Sequence, residues 1–434
     1  MSRAVRSVTF NTNLTAPSWF ANLPEKTWTK IATGTGSGAT AYQAGATVYS
    51  VRPVPTPQSG SPEPGVTAYS GGDVDQARGE LLIHGGGHNS YNGNEVYALR
   101  VRDEVPGWRR LNNPSPGALI GGAPSKNGIG QFAADQGING APAGNHSANS
   151  LIYCNNRLYL IKPYGMGNGI DGTARIFWFD RTTLKWTAGQ KWLSDADASQ
   201  MPIIYAESSP AVYVPYSNAI YTALNYGAAA TSAKNLTKFN SLTGAMSQQW
   251  TIAQAAHNFG PTRPAVIGNT RLVALITGNV IGVSYGGPGL YVWDESTPTV
   301  APVKCTITDN TGYPDPGGGW GKEWMSEVNG SFYHASSNCI VIGHGNTEYI
   351  TVARIPANPK TDTWVVDKIS PANIADGSRV IPVSAIGSQY TYGRFNIIND
   401  MGDEGGGVRH SAIVLFPDNN TLTATYVYKL PSTF

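Results

Sequence analysis

Leu81-Leu82-Ile83-His84 is an apolar run that ends in three glycines, Gly85, Gly86 and Gly87, followed by His88. Asn94-Glu95-Val96-Tyr97-Ala98-Leu99 comes next, and then Trp108. The pattern reads as strand, glycine turn, strand, and a tryptophan opening one more strand. Nowhere in the chain does a convincing amphipathic helical period appear, so the strands are not separated by helices and a parallel sheet is not expected.

The same pattern returns. His146-Ser147-Ala148 opens a second unit, continued by segments 157–161, 175–180 and 185–187. A third runs from Glu207 through 219–224 and 236–239 to Trp250, and a fourth from Arg263 through 271–276 and 289–294 to about Val303. The fifth holds segments 330–333, 338–343, 349–353 and 363–365. The sixth opens with His410-Ser411-Ala412, the motif that opened the second. An apolar run, a multi-glycine turn, an aromatic strand and a following tryptophan resemble the kelch repeat. That resemblance implies a β-propeller built from four-stranded blades with a period of about 50 residues.

Six units are counted, with seven blades as the alternative count. The sixth has one further strand, Leu422 to Leu430, before the sequence ends. Val5 to Phe10 and Thr27 to Ile31 are expected to complete it, which would close the ring and remove exposed sheet edges. The expected fold is therefore all-β. It is a single six-bladed kelch-like propeller over 1–434, its last blade closed by N-terminal strands within 1–31. The spacing between units is uneven. Extra length falls at about 32–65, 112–145 and 368–408, each read as a connection from the last strand of one blade to the first of the next. In a propeller such connections share one face, and long loops on a rigid scaffold are where binding is usually found.

Composition narrows the function classes. Charged residues are 13% of the chain, about half the usual share, against 41% apolar residues, 51 glycines, 29 prolines and 22 tyrosines. This suits short strands and many turns. The net charge is +2 with no basic run, so no nucleic-acid partner is expected. No apolar stretch approaches a membrane span, so no membrane insertion is expected. Arg3 and Arg6 have no apolar run behind them, so the N-terminus does not read as a secretory signal. Cys154, Cys305 and Cys339 are widely spaced and odd in number, and read as buried structural thiols.

Each innermost strand is preceded by a polar residue at one repeat position: His146, Glu207, Arg263, Glu327, and Arg409 with His410. Repetition should gather these at one mouth of the central channel. Mixed charges there either pair with one another and hold the blades together, or bind an anionic sugar and do acid–base chemistry. Mutual pairing is the expectation. His84 and His88 flank the glycine turn, where a spacing of four gives no common face for a metal. Asn399 to Gly407 is acidic and glycine-rich, but lacks the spacing of an EF-hand loop and reads as a turn.

Galactose oxidase is a kelch-type enzyme, but no local motif matches its copper site. Arg354-Ile355-Pro356 is similar to the Arg-Ile-Pro element of sialidases, yet Thr361-Asp362-Thr363-Trp364 lacks the serine and glycine of their Asp-box. No nucleophile elbow, phosphate loop, zinc spacing or dinucleotide fingerprint is present, so no cofactor and no metal is expected. The expectation is a non-enzymatic structural or binding propeller. Low charge with abundant Gly, Asn, Thr, Ser and Tyr resembles extracellular or virion-surface proteins; with no secretion signal read, a bacteriophage tail, fibre, baseplate or head-decoration component is expected, with an extracellular or cytoplasmic location as the alternative. Its partners would be other virion proteins or copies of itself, and a host-surface glycan. The alternative is a glycan-active enzyme on a propeller scaffold.

Overall fold

A computed structural model describes residues 13–32, 44–48, 50–52, 70–84, 93–114, 142, 147–162, 175–192, 210–224, 234–252, 263–277, 288–313, 323–325, 330–343, 349–372, 394–416 and 425–434. The chain is a six-bladed β-propeller. Strand β1 (Trp28–Ile31) precedes the first blade, which contains β2 (Gly72–Asp75), β3 (Glu80–His84), β4 (Val96–Arg100) and β5 (Gly107–Arg110). Blade two contains β6 (Leu151–Cys154), β7 (Arg157–Lys162), β8 (Arg175–Asp180) and β9 (Lys185–Lys191). Blade three contains β10 (Ala211–Val214), β11 (Ala219–Leu224), β12 (Lys234–Asn240) and β13 (Met246–Ile252). Blade four contains β14 (Ala265–Val266), β15 (Leu272–Thr277), β16 (Gly289–Asp294) and β17 (Val303–Lys304). After β18 (Ile307–Asp309), blade five contains β19 (Gly330–His334), β20 (Cys339–Gly343), β21 (Ile350–Arg354) and β22 (Trp364–Ile369). Blade six contains β23 (Phe395–Ile398), β24 (Ala412–Leu415) and β25 (Thr425–Lys429), and β1 is its outermost strand.

In blades one to five the four strands named are antiparallel neighbours in chain order, in blade six β1 follows β23, β24 and β25, and the innermost strands β2, β6, β10, β14, β19 and β23 stand side by side around the ring. The second strand of each blade lies between the two adjacent blades, which is why it reads as a continuous apolar run. In β3, Leu81 and Ile83 join the core shared with Ile398 and Val414 of blade six. Leu82, on the other face, joins the core shared with Leu151 and Leu158 of blade two. The period-two alternation of a strand thus feeds two cores at once. Gly343 at the end of β20 is required by close packing, since a Cβ there would lie 2.0 Å from the Phe395 ring of blade six.

Turn chemistry repeats with the blades. Asp180, Asn240 and Asp294 each end a third strand after an aromatic residue. Their side chains accept N–H bonds from the turn that follows: Thr182 at 2.8 Å, Leu242 at 2.8 Å and Ser296 at 2.9 Å. Between first and second strands, Asn156, Asn218 and Asn338 take left-handed backbone angles, which asparagine tolerates better than most residues. The hydroxyls of Tyr213 and Tyr333 on the innermost strands donate to Asn218 and Asn338 at 2.8 and 3.2 Å.

The last blade differs from expectation in detail. It has three strands from the C-terminal end of the chain and one from the N-terminal end, with Trp28 opposite Tyr428 and Ile31 opposite Thr425. Its innermost strand, β23, falls inside the segment 368–408 read as a connection. That segment is therefore not one long loop, and Asn399 to Gly407 lies in the hairpin between first and second strands, on the face opposite the inter-blade connections. Two completing strands are not needed, because β23 supplies one; Val5 to Phe10 lies outside the described residues. Blade one likewise has an innermost strand, β2, beyond the three strands read there. Blade five gains a fifth strand, as β18 pairs parallel with β22 (Ile307 opposite Trp364).

The N-terminal segment is clasped to blade six. Ala16 N–H donates to Asp403 O (2.9 Å) and Asp403 N–H to Leu14 O (2.7 Å). Gly402, at φ +108°, allows this approach, for a Cβ would stand 2.4 Å from Ala16 N. Glu104 of blade one accepts from the backbone N–H and hydroxyl of Ser18, which opens the short helix α1 (Ser18–Ala21). Among the described residues no helix is long and apolar enough to cross a membrane.

All three cysteines are buried and unpaired, as the sequence suggested. Burial pushes the Cys305 and Cys339 thiols up to about 12, so neither is a reactive thiolate at neutral pH. Burial acts in the other direction on His334, pulling it down to about 4. Its ring packs edge-on against Phe434 at 5.7 Å, with Nδ1 3.1 Å from Ser337 Oγ. The folded form holds this histidine neutral, whereas an unfolded one gains a proton near pH 6.5. The unfolded state therefore binds more protons between those values, and stability falls as pH drops from about 6.5 towards 4. Denaturation of His334→Gln across that window should show a shallower loss of stability than the parent protein; an unchanged slope would exclude His334 as its source.

Candidate functional site

The channel mouth is organised by a residue the sequence reading did not single out. Asp73, second in β2, accepts from Val74 N–H (2.7 Å) and Asn396 Nδ2 (3.0 Å) at Oδ1, and from Tyr153 N–H (2.6 Å) at Oδ2. Arg263, just before β14, reaches Oδ1 with Nη2 at 2.6 Å and donates from Nη1 to Gly72 O at 2.7 Å. Blade one and blade four face each other across a six-membered ring, so this ion pair spans the channel. Asn396 comes from blade six and Tyr153 from blade two. Ser331 of blade five donates to Arg263 O at 2.5 Å and fixes the backbone that carries the guanidinium. Five of the six blades meet in one network.

Both side chains of the pair are about nine-tenths buried, at 12% and 11% exposure. A pair withdrawn from water this far holds only if its hydrogen bonds are complete. Asp73 meets that condition, with three donors on one oxygen and one on the other. Its donors come from blades one, two, four and six. The arrangement ties blades together.

A second buried network joins blades one and two near the opposite face. Arg181, 1% exposed, donates to Glu80 and lies 3.8 Å from Asp75. Arg109 and Arg78 pair with Glu80 and Asp75 at 3.1 and 2.6 Å. The Tyr153 hydroxyl donates to Asp75 at 2.7 Å. Burial, and then its bond to Asp75, raises the Tyr153 pKa well above its usual range, so this tyrosine stays a donor. Burial lowers the Arg181 pKa, with Glu80 and Asp75 opposing the shift.

Of the residues named before innermost strands, Arg263 stands just before β14 and pairs with Asp73. His146, Glu207, Glu327 and the turn glycines Gly85, Gly86 and Gly87 lie outside the described residues, as does His88. Arg409 and His410 do not precede an innermost strand. They precede β24, the second strand of blade six, at the opposite end of the channel strands. Its uninterrupted apolar Ala412–Leu415 reads as an inner strand, while the true one, Phe395–Ile398, carries a polar Asn396. Arg409 pairs with Asp400 at 2.6 Å and donates to Leu14 O at 3.1 Å. His410 sits between Glu404 (2.8 Å) and Glu25 (2.6 Å), and Lys429 pairs with Glu404 at 2.5 Å. These groups clasp the N-terminal segment. Asp403 accepts from Gly405 and Gly407 N–H, so the acidic segment directs its carboxylates at protein donors.

His84 is fully buried, with Nδ1 3.2 Å from Glu95 O and its ring edge-on to Trp186. Arg354 of the Arg-Ile-Pro element pairs with Asp367 on the next strand at 2.8 Å, away from the channel. Among the described residues no group of three His, Cys, Asp or Glu side chains is placed to hold a metal ion. The sequence signal for this network is a polar residue at the second position of an innermost strand: Asp73, Ser331 and Asn396.

No protein-family model matches the chain, and no curated protein matches it. Solved structures that resemble it include an α-L-arabinofuranosidase from Fusarium graminearum, 10% identical, covering 85% of this chain and 96% of that one, with a TM-score of 0.41. A calcium-binding protein, regucalcin, from Agrobacterium tumefaciens is 12% identical over 84% of this chain and 90% of that one, at 0.38. BamB from Moraxella catarrhalis is 10% identical over 83% of this chain and 84% of that one, at 0.34. These are enzymes and non-enzymes alike, and likenesses so distant carry no argument about ligand or reaction.

Proposed function

We propose that this chain is a non-enzymatic binding propeller, a bacteriophage virion component that joins other virion proteins and contacts a host-surface glycan. The observation that carries the reading is the Asp73–Arg263 strut. In an enzyme built on such a scaffold, polar groups at the channel mouth are kept open for substrate; here they bond one another across five blades. What remains is a rigid ring whose longest inter-blade connections, 32–71 and 111–150, leave one face. A composition of few charges and many Gly, Asn, Ser, Thr and Tyr residues suits an exposed surface that meets partners by stacking and hydrogen bonding.

Shortening the 112–145 segment should weaken partner binding or particle incorporation while the melting temperature stays within about 2 °C, since the strands on either side are untouched. Partner contacts confined to the opposite face would refute the assignment. A screen of the purified protein against sialylated and bacterial polysaccharides decides the enzymatic alternative. A glycosidase needs two carboxyl groups facing each other across roughly 5–10 Å. Turnover abolished by Glu207→Gln or Glu327→Gln would establish it.

A further inference from the structure

Most outermost strands of this ring are shielded from pairing with another chain. β5 carries Arg109 and Arg110 and is overlaid by residue Ala46, whose carbonyl accepts from Trp108 N–H at 2.9 Å. β9 begins and ends with Lys185 and Lys191, and β1 carries Lys30. β17 is two residues long and includes Lys304, and β22 is covered by β18. Cover, shortness and charge are the usual means by which edges avoid association.

Among the described residues, β13 has none of them. Met246-Ser247-Gln248-Gln249-Trp250-Thr251-Ile252 is seven residues long and holds no charge. A bulge near Ser247 shifts the register, leaving Gln248 to Ile252 regularly paired with β12 on the inner side. Among the described residues, no backbone group of another segment bonds the outer side of that stretch. Ser247, Gln248 and Gln249 are exposed.

We propose that β13 is a self-pairing edge, on which a second copy of this chain docks its own β13 in antiparallel register. The two blades then form one eight-stranded sheet across a two-fold axis. A two-fold interface sets each residue near its own counterpart, so a charged strand would meet its like. β13 carries no such penalty. Ser247 and Gln249 already bond Lys238 O, Trp192 O and Thr237 Oγ1 within the chain, but exposed Gln248 has an amide that both donates and accepts and so complements its own counterpart. A different protein would be selected by opposite charge, and this strand has none to offer. The pairing uses the perimeter and not the inter-blade face, so it can fail while the binding reading stands.

Sedimentation of the full chain over a concentration series tests the proposal. A monomer–dimer equilibrium is expected by about 100 μM, the range of small, transient interfaces. Gln248→Lys places like charges across the two-fold and should raise the dissociation constant about tenfold or more. Leu242→Lys, at an exposed turn position of the same blade, is the control and should leave it unchanged. A parent protein that stays monomeric overturns the proposal. So does a dimer insensitive to Gln248→Lys, or one weakened equally by Leu242→Lys.

Discussion

Asp73→Ala is expected to cost about 3–5 kcal/mol, the usual penalty for breaking one side of a buried ion pair. The change leaves the Arg263 guanidinium, the Asn396 amide and the Tyr153 N–H facing a gap where their acceptor stood. At about 2.1 cal/mol/K per residue, a chain of 434 residues unfolds with an entropy near 0.9 kcal/mol/K, so the melting temperature should fall by about 3–5 °C. Arg263→Ala should cost less, because Asp73 keeps three of its four donors. Calorimetry on the two variants distinguishes this strut from a site held open for ligand. Equal melting temperatures for parent and Asp73→Ala would show that the pair contributes no stability.

Deleting residues 1–31 should have the larger effect, loss of the soluble monomer. The deletion removes β1 and uncovers the outer edge of β25 from Thr425 to Tyr428. It also removes Phe20, fully buried, and Trp28, 3% exposed, from two separate cores. Loss of a buried aromatic side chain alone costs about 3–5 kcal/mol, and total stability is of the order of 5–15 kcal/mol. Aggregation, or loss of cooperative unfolding, is the expected outcome. A truncated protein that sediments as a monomer with the parent's melting temperature would mean that blade six closes without its N-terminal strand.

The repeat was legible because second strands are largely apolar on both faces and the third strands of blades two to four end in an aromatic residue and a turn of fixed chemistry. Leu81 to Ile83, Cys339 to Gly343 and the Phe179-Asp180 and Phe239-Asn240 junctions all announce themselves. Two innermost strands did not. Gly72-Asp73-Val74-Asp75 holds three residues that strands disfavour, and only the surrounding donors make the burial of its two aspartates tolerable. Phe395-Asn396-Ile397-Ile398 is short and also polar at its second position. The site was missed for the same reason. Asp73 and Asn396 point inward from strands too unlike the others to be recognised, while Arg409 and His410 stood before a strand that looked like an inner one. Contacts across the ring, such as Arg263 with Asp73, depend on which blades are opposed, and no local pattern reports that.

The origin of β1 also sets a timetable. Its partner β25 emerges from the ribosome roughly 390 residues later. At about 5–20 residues per second, Trp28–Ile31 waits roughly 20–80 s for the strand that receives it. During that interval five blades can form in order while the ring stays open, with Trp28 unburied. Slowed translation late in the message, or a crowded cell, would therefore act on yield through this one strand and leave the finished molecule unchanged.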